Sequence, residues 1–210
     1  MTEYRTAPWD YAMPLSTPAS RDLLHLRDIQ LRGYQREDGL FDIEAHLLDT
    51  KAYAFENDNR GVMQPGEPLH GMWLRLTVRE DMEVVACEAS SDHTPYAVCP
   101  QAAPNFSRLA GLKIGPGFNR AVNERVGGVH GCTHLREVLG QMATVAYQTL
   151  YPIRARKERE ELARRMAAGE AVERKRPSLV GSCIAYAPDS EVTLARWPWL
   201  REAAKAEAAE

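Results

Sequence analysis

The densest run of chemistry-bearing residues in the chain is Gly127-Gly128-Val129-His130-Gly131-Cys132-Thr133-His134, which sets three glycines, two histidines and a thiol against the start of a helical repeat. Unpaired backbone donors at a helix N-terminus attract an anion, and their field disfavours protonation of a nearby imidazole. His134 is therefore expected to stay neutral near pH 7, as a general base must, with Cys132 beside it where an oxyanion or phenolate would rest. The competing expectation is a tight loop capped by Cys132 or Thr133, its glycines serving backbone geometry alone. The glycine spacing matches neither the dinucleotide nor the P-loop pattern, and the run follows a helix rather than a strand, so nucleotide binding is not expected.

Behind His134 the helix repeats polar residues three and four apart: Glu137, Gln141, Thr144 and Gln148. A stripe of amides and hydroxyls suits a wet cavity better than bulk water, which makes Gln141 a candidate ligand contact. On the strand side, Asp42, Glu44 and His46 alternate and so share one face. His70 opens a later strand ahead of Trp73 and Arg75, and Asp92-His93-Thr94-Pro95-Tyr96 follows that strand's partner. A metal reading, zinc being the natural ion, takes His70, His134 and a carboxylate such as Glu88 or Asp92. Glycine at 131 interrupts the one helical His-x-x-x-His spacing, so no metal or other cofactor is expected.

These residues need elements to hold them. Three prolines within residues 1–20 deny that stretch a helix or a central strand, leaving an extended arm. Residues 25–34 and 40–50 alternate across the Asp38-Gly39 turn and predict a hairpin. Residues 70–78 and 82–89 predict a second one. Short helices are expected at 104–112 and 116–126, each opened by proline, followed by a long amphipathic helix at 133–151 that Pro152 weakens. A charged helix at 153–173 and a strand at 179–186 complete the reading. The fold class is α+β: an antiparallel sheet of at least four strands against one long helix, with an arm at 1–20, a core at 21–152 and a charged C-terminal part at 153–210.

A chain of 210 residues closes one sizeable core. Its net charge of −3 offers no field for nucleic acid, no apolar run is long enough to span a membrane, and the start does not read as a secretion signal. Cys87, Cys99, Cys132 and Cys183 form no Cys-x-x-Cys pair and read mostly as buried reduced thiols of a cytoplasmic protein. The arm and the charged helix are too poor in core residues to serve their own domain, so a homodimer is expected.

Several segments, in order, carry a family resemblance: Arg36-Glu37-Asp38-Gly39-Leu40, Asp42-Ile43-Glu44, Asp49-Thr50-Lys51, Leu69-His70-Gly71-Met72-Trp73-Leu74-Arg75, Cys99-Pro100, Ile114-Gly115-Pro116-Gly117 and Gly131-Cys132-Thr133-His134-Leu135. From about Met13 to Trp199 the chain resembles a proteobacterial family known only as a domain of unknown function. The resemblance brings no settled activity, cofactor or site. Its association is with bacterial breakdown of lignin-derived aromatics, and it implies a lyase that removes formaldehyde from a phenylcoumaran dimer. That reaction would give His70 or His134 the role of base, Arg75 or Lys51 the stabilisation of a phenolate, and Tyr96 or Glu44 the return of a proton, with Asp92, Cys132 and Gln141 as further substrate contacts. A ligand-binding or assembly module without chemistry, and a metal-dependent hydrolase, remain the alternatives.

Overall fold

The computed structural model describes residues 15–170 and 176–201, so most of the predicted arm and the end of the predicted charged helix lie outside the described residues. The chain divides into two compact units, residues 1–155 and 156–210.

In the first unit, β1 (His25–Gln35), β2 (Phe41–Lys51), β5 (Pro68–Val78) and β6 (Val84–His93) form an antiparallel sheet in the order β1-β2-β5-β6. Both predicted hairpins are present. The first turns at Gly39, whose φ of 84° is the left-handed conformation that glycine adopts freely, and the Asp38 carboxylate accepts the Leu40 amide at 3.2 Å. The second turns at Met82, a non-glycine residue with φ 74°. Between β2 and β5 the chain makes a small extra hairpin that the sequence pattern did not predict, β3 (Phe55–Asn57) with β4 (Gly61–Met63).

Alternation sets the two faces of the sheet. Phe41, Ile43, Ala45 and Leu47 of β2 and Met72, Leu74 and Leu76 of β5 are buried, while Trp73 and Arg75 between them are exposed. Over the buried face lies the first part of α2 (Thr133–Ala167), which contributes Leu135, Val138, Leu139, Met142, Ala146 and Leu150 to the core. The core is completed by a 3-10 helix at Cys99–Leu109 and by α1 (Phe118–Val126).

Three expectations need correction. The predicted helix at 104–112 is the later part of that 3-10 helix, which begins at Cys99 and carries Pro104 inside it. The long helix does not stop at Tyr151: it passes through Pro152 and absorbs the segment predicted as a separate helix. Proline forfeits one backbone bond there, but Leu150 is fully buried and Ile153 packs on the core, so both sides of the proline are anchored. Residues 179–186 are turns and a 3-10 turn at Ile184–Tyr186, not a strand. In this second unit α3 (Glu191–Arg196) is capped by Ser190, whose hydroxyl accepts the Thr193 amide at 3.1 Å. All four cysteines are free, but only Cys87 is buried; burial pushes its thiol up to about 12, out of reach of thiolate chemistry.

Helix α2 packs against β1 at Gly33, where a methyl group would run into the Thr149 hydroxyl. Gly33→Ala is expected to lower stability by about 1–3 kcal/mol through overpacking. Thr149→Ala in the same protein should recover part of that loss, read as thermal midpoints of the two variants.

Candidate active site

The buried face of the sheet is apolar along most of its length and ionic at one end. Arg27 of β1 pairs with Asp49 of β2, and Asp49 pairs with His70 of β5, so these three residues form one row across three strands. Each continues the core-facing phase of its strand: Ile29 and Leu31 after Arg27, Ala45 and Leu47 before Asp49, Met72 and Leu74 after His70. The Asp49 carboxylate is fully buried. Arg27 grips it with two bonds, Nε to Oδ1 at 2.7 Å and Nη2 to Oδ2 at 2.8 Å, and His70 Nδ1 lies 3.0 Å from Oδ2. His25 Nε2 stands 3.4 Å from Oδ1.

Burial alone would push the Asp49 carboxyl upward, but the hydrogen bonds and charges of Arg27 and His70 outweigh it and hold the group well below the usual carboxylate range. An ionised Asp49 can only accept, so the hydrogen bond between them places a proton on His70 Nδ1 and leaves Nε2 as the ring nitrogen the carboxylate does not engage.

Helix α2 delivers the second imidazole. Cys132 accepts the Arg136 amide at its carbonyl, so His134 stands in the first turn of the helix, where Gly127 and Gly131 allow a close return of the chain. A side chain at Gly127 would strike the Asn123 carbonyl, and one at Gly131 would strike that of Val126. His134 packs on His70 with ring centroids 3.9 Å apart and 35° between planes. Partial burial lowers its pKa, and the neighbouring His70 and Arg27 lower it further. Cys132 Sγ lies 3.8 Å from His134 Nδ1 and 3.9 Å from Met72 Sδ, and Arg27 Nη1 reaches Glu137 Oε2 at 3.3 Å. The site thus holds a buried anion, a guanidinium, three imidazoles and a thiol within one contiguous set.

Of the residues singled out from sequence, His70, His134 and Cys132 come together here. Glu44, Arg75 and Asp92 belong to the opposite face of the sheet: Arg75 bonds Glu44 at 2.9 Å and approaches Glu88 at 3.5 Å, and Asp92 accepts Trp73 Nε1 at 2.8 Å. The same placement takes Glu88 and Asp92 away from any metal set with the two histidines. The carboxylate beside the histidines is Asp49 instead, and one ligand atom from each of Asp49, His70 and His134 lies within 4.8 Å of the others. Tyr96 is exposed in the segment after β6, its carbonyl accepting from Thr94 at 3.0 Å. Gln141 is exposed two turns along α2 from His134. Lys51 ends β2, two residues past Asp49. A separate concavity of about 280 Å³ lies between the start of α1 and α2, lined by Asn119, Arg120, Thr144 and Tyr147 among others; it contains no acid–base pair.

Sequence reasoning missed Asp49, Arg27 and His25 as site residues. The signal was available: a charged residue occurring in the buried phase of a strand needs a buried partner.

Residues 25–148 match one protein family, described as protein of unknown function (DUF2889). Comparison with curated proteins and with solved structures gives no match.

Removing the Asp49 charge leaves Arg27 facing a neutral amide, so Asp49→Asn is expected to lose roughly 3 kcal/mol at pH 7, the lower end for a broken buried pair because Arg27 remains partly exposed. The folded-state pKa of Asp49 is depressed, so its contribution is fully present above the ordinary value of 3.8 and is lost as pH falls below it. The gap between the thermal midpoints of wild type and Asp49→Asn should therefore be wide at pH 7 and narrow steadily below about pH 4. A gap that stays constant down to pH 2 would show that the carboxylate charge is not what stabilises the row.

Proposed function

The chain belongs to the DUF2889 family, a family of unknown function, and on that premise we propose that it is a cofactor-independent lyase that releases formaldehyde from the hydroxymethyl group of a small phenylcoumaran-type aromatic. The observation that carries an acid–base reading is the pair of imidazoles on a buried, ionised aspartate: His70 held by Asp49 at 3.0 Å, and His134 packed on His70 in an environment that favours its neutral form. Ionisable groups within hydrogen-bond reach of one another, one of them a histidine whose pKa is lowered, are what acid–base chemistry requires and what an apolar binding pocket lacks. The substrate class comes from the resemblance to proteins of lignin-aromatic breakdown.

The reaction balances without a cofactor. A base takes the hydroxyl proton, the carbon–carbon bond to the hydroxymethyl carbon breaks to give formaldehyde, and its electron pair becomes a new carbon–carbon double bond. The ring ether bond opens, leaving a phenolate that takes back one proton. His134 is the base in this scheme and His70 the carrier of the returning proton, with Asp49 orienting His70 and Arg27 holding Asp49 in place. The enzyme would work in the cytoplasm, and among the described residues no helix is long and apolar enough to cross a membrane. It would act as a homodimer; a scattering mass equal to one 23.6 kDa chain at micromolar concentration would end that part of the reading.

A second reading, a metal-dependent hydrolase, rests on the mutual approach of the Asp49, His70 and His134 ligand atoms. It is the weaker one because Asp49 already spends its oxygens on Arg27 and His70, and a dication there would stand against a guanidinium.

Incubation with phenylcoumaran dimers should yield one formaldehyde per substrate consumed. His134→Ala should fold with a near-normal thermal midpoint yet lose on the order of a hundredfold or more in turnover. A destabilised but fully active variant would remove His134 from the chemistry. Activity abolished by chelation and restored by zinc would favour the metal reading.

A further inference from the structure

The lyase reading leaves open what holds the aromatic body of the substrate, and the segment joining the strands of Asp49 and His70 answers it. Residues 52–67 leave β2 directly after Lys51 and return to β5 at Pro68, so both ends of the β3–β4 hairpin stand at the ionic end of the sheet. The hairpin is firmly tied. Gly66 donates to the Lys51 carbonyl at 2.8 Å, closing its base. Arg60 bonds the Pro68 carbonyl at 2.7 Å and Glu67 at 2.6 Å, and Met63 is fully buried beneath it.

On this anchored platform Tyr53 and Phe55 stand edge to face with centroids 6.2 Å apart, and the Lys51 ammonium lies 5.5 Å from the first ring and 5.7 Å from the second. Tyr53 is 42 % exposed and Phe55 only partly covered, so the rings are not spent on the core. Among the described residues no carboxylate comes within ion-pair distance of Lys51, whereas Arg27 opposite Asp49 and Arg60 of the same hairpin each hold one. A cation with no carboxylate beside it among the described residues, set between two partly exposed aromatic rings roughly 7 Å of strand from the buried Asp49 carboxylate, is complementary to one kind of ligand: a flat ring that bears negative charge.

We propose that Lys51, Tyr53 and Phe55 form the subsite that binds an anionic aryl group, the aromatic rings stacking on it and the ammonium pairing with its phenolate or carboxylate oxygen. This rests on the lyase reading for its place in catalysis but not for its binding chemistry. The two rings shape the slot and Lys51 selects for charge, so the subsite should discriminate between aromatics of equal shape and different charge.

The test uses two probes with the same ring, 4-methoxybenzoate and 4-methoxybenzyl alcohol, titrated into the full chain and followed by calorimetry. The benzoate should bind at least about tenfold more tightly than the alcohol, the worth of one partly desolvated ionic contact. Lys51→Met should abolish that difference while leaving the weak binding of the alcohol in place, Lys51→Arg should restore part of it, and Phe55→Ala should weaken both probes. Equal binding of the two probes by wild type, or an unchanged preference in Lys51→Met with an unchanged thermal midpoint, overturns the subsite. The two readings fail separately. Charge-selective binding that depends on Lys51, with no formaldehyde from any dimer, removes the lyase and leaves the subsite. Formaldehyde release with an unchanged KM in Lys51→Met removes the subsite and leaves the lyase.

Discussion

A carboxylate with no exposure to water governs the working end of this fold. Asp49 sits in the phase of β2 that otherwise carries Phe41, Ile43, Ala45 and Leu47, and an unpaired charge in that position would cost several kcal/mol. Its two bonds from Arg27 and one contact with His70 remove that cost only if β1, β2 and β5 hold one register. A slip of one residue in β2 would bring Leu48 to the core face and carry Asp49 to the other, leaving Arg27 and His70 without their anion. The apolar alternation and the ionic row therefore specify the same pairing twice. This agreement lets a site of charged groups exist at the end of a hydrophobic face without loosening it.

The second half of the chain adds one catalytic-type residue to that row, and much of its local geometry serves to place it. Gly127 and Gly131 bring the chain so close to the end of α1 that no side chain fits at either position, and α2 then begins with His134 in its first turn. The anion-nest expectation for this loop and the tight-loop expectation are not exclusive. Its glycines are required by close packing, and the helix end they produce points an imidazole at the Asp49 row. Farther along, α2 lies so close to β1 that only glycine fits at residue 33, which fixes the height of the helix over the sheet and with it the reach of His134.

The sequence pattern made the sheet legible because β2 and β5 alternate cleanly, and the hairpins because Asp38-Gly39 and Arg79-Glu80-Asp81 interrupt the alternation. The continuation of α2 through Pro152 was not legible, since the proline's local cost is visible in sequence and the anchoring of Leu150 and Ile153 is not. Half of the site was legible for a similar reason. Histidines and a glycine-rich helix start announce themselves by type, whereas Asp49 and Arg27 are ordinary residue types whose meaning lies in phase. The stripe of Glu44, His46 and Asp42 drew attention because it alternates in the same strand, yet it occupies the outer face, where Asp42 accepts from Thr77 at 2.7 Å and Glu44 from Arg75.

His46 supplies an internal comparison that separates a perturbed histidine from a useful one. Burial lowers its pKa as it does for His134, and it too stacks on an aromatic neighbour, Trp73, with centroids 3.9 Å apart and 19° between planes. By pKa direction and ring contact alone the two could not be told apart. What His46 lacks is a second proton-carrying group to work with: its face of the sheet offers carboxylates already engaged by Arg75, Thr77 and Trp73, and those held by Arg75 and Trp73 are open to water, where electrostatic effects are screened. His134 instead meets another imidazole whose tautomer is set by a water-excluded aspartate, so a proton taken by one ring has a partner ring and a fixed anion within the same few ångströms. The difference between the faces is one of environment rather than residue type. It follows from the sheet having a single covered side, whose far end is where strand phase, helix start and charge coincide.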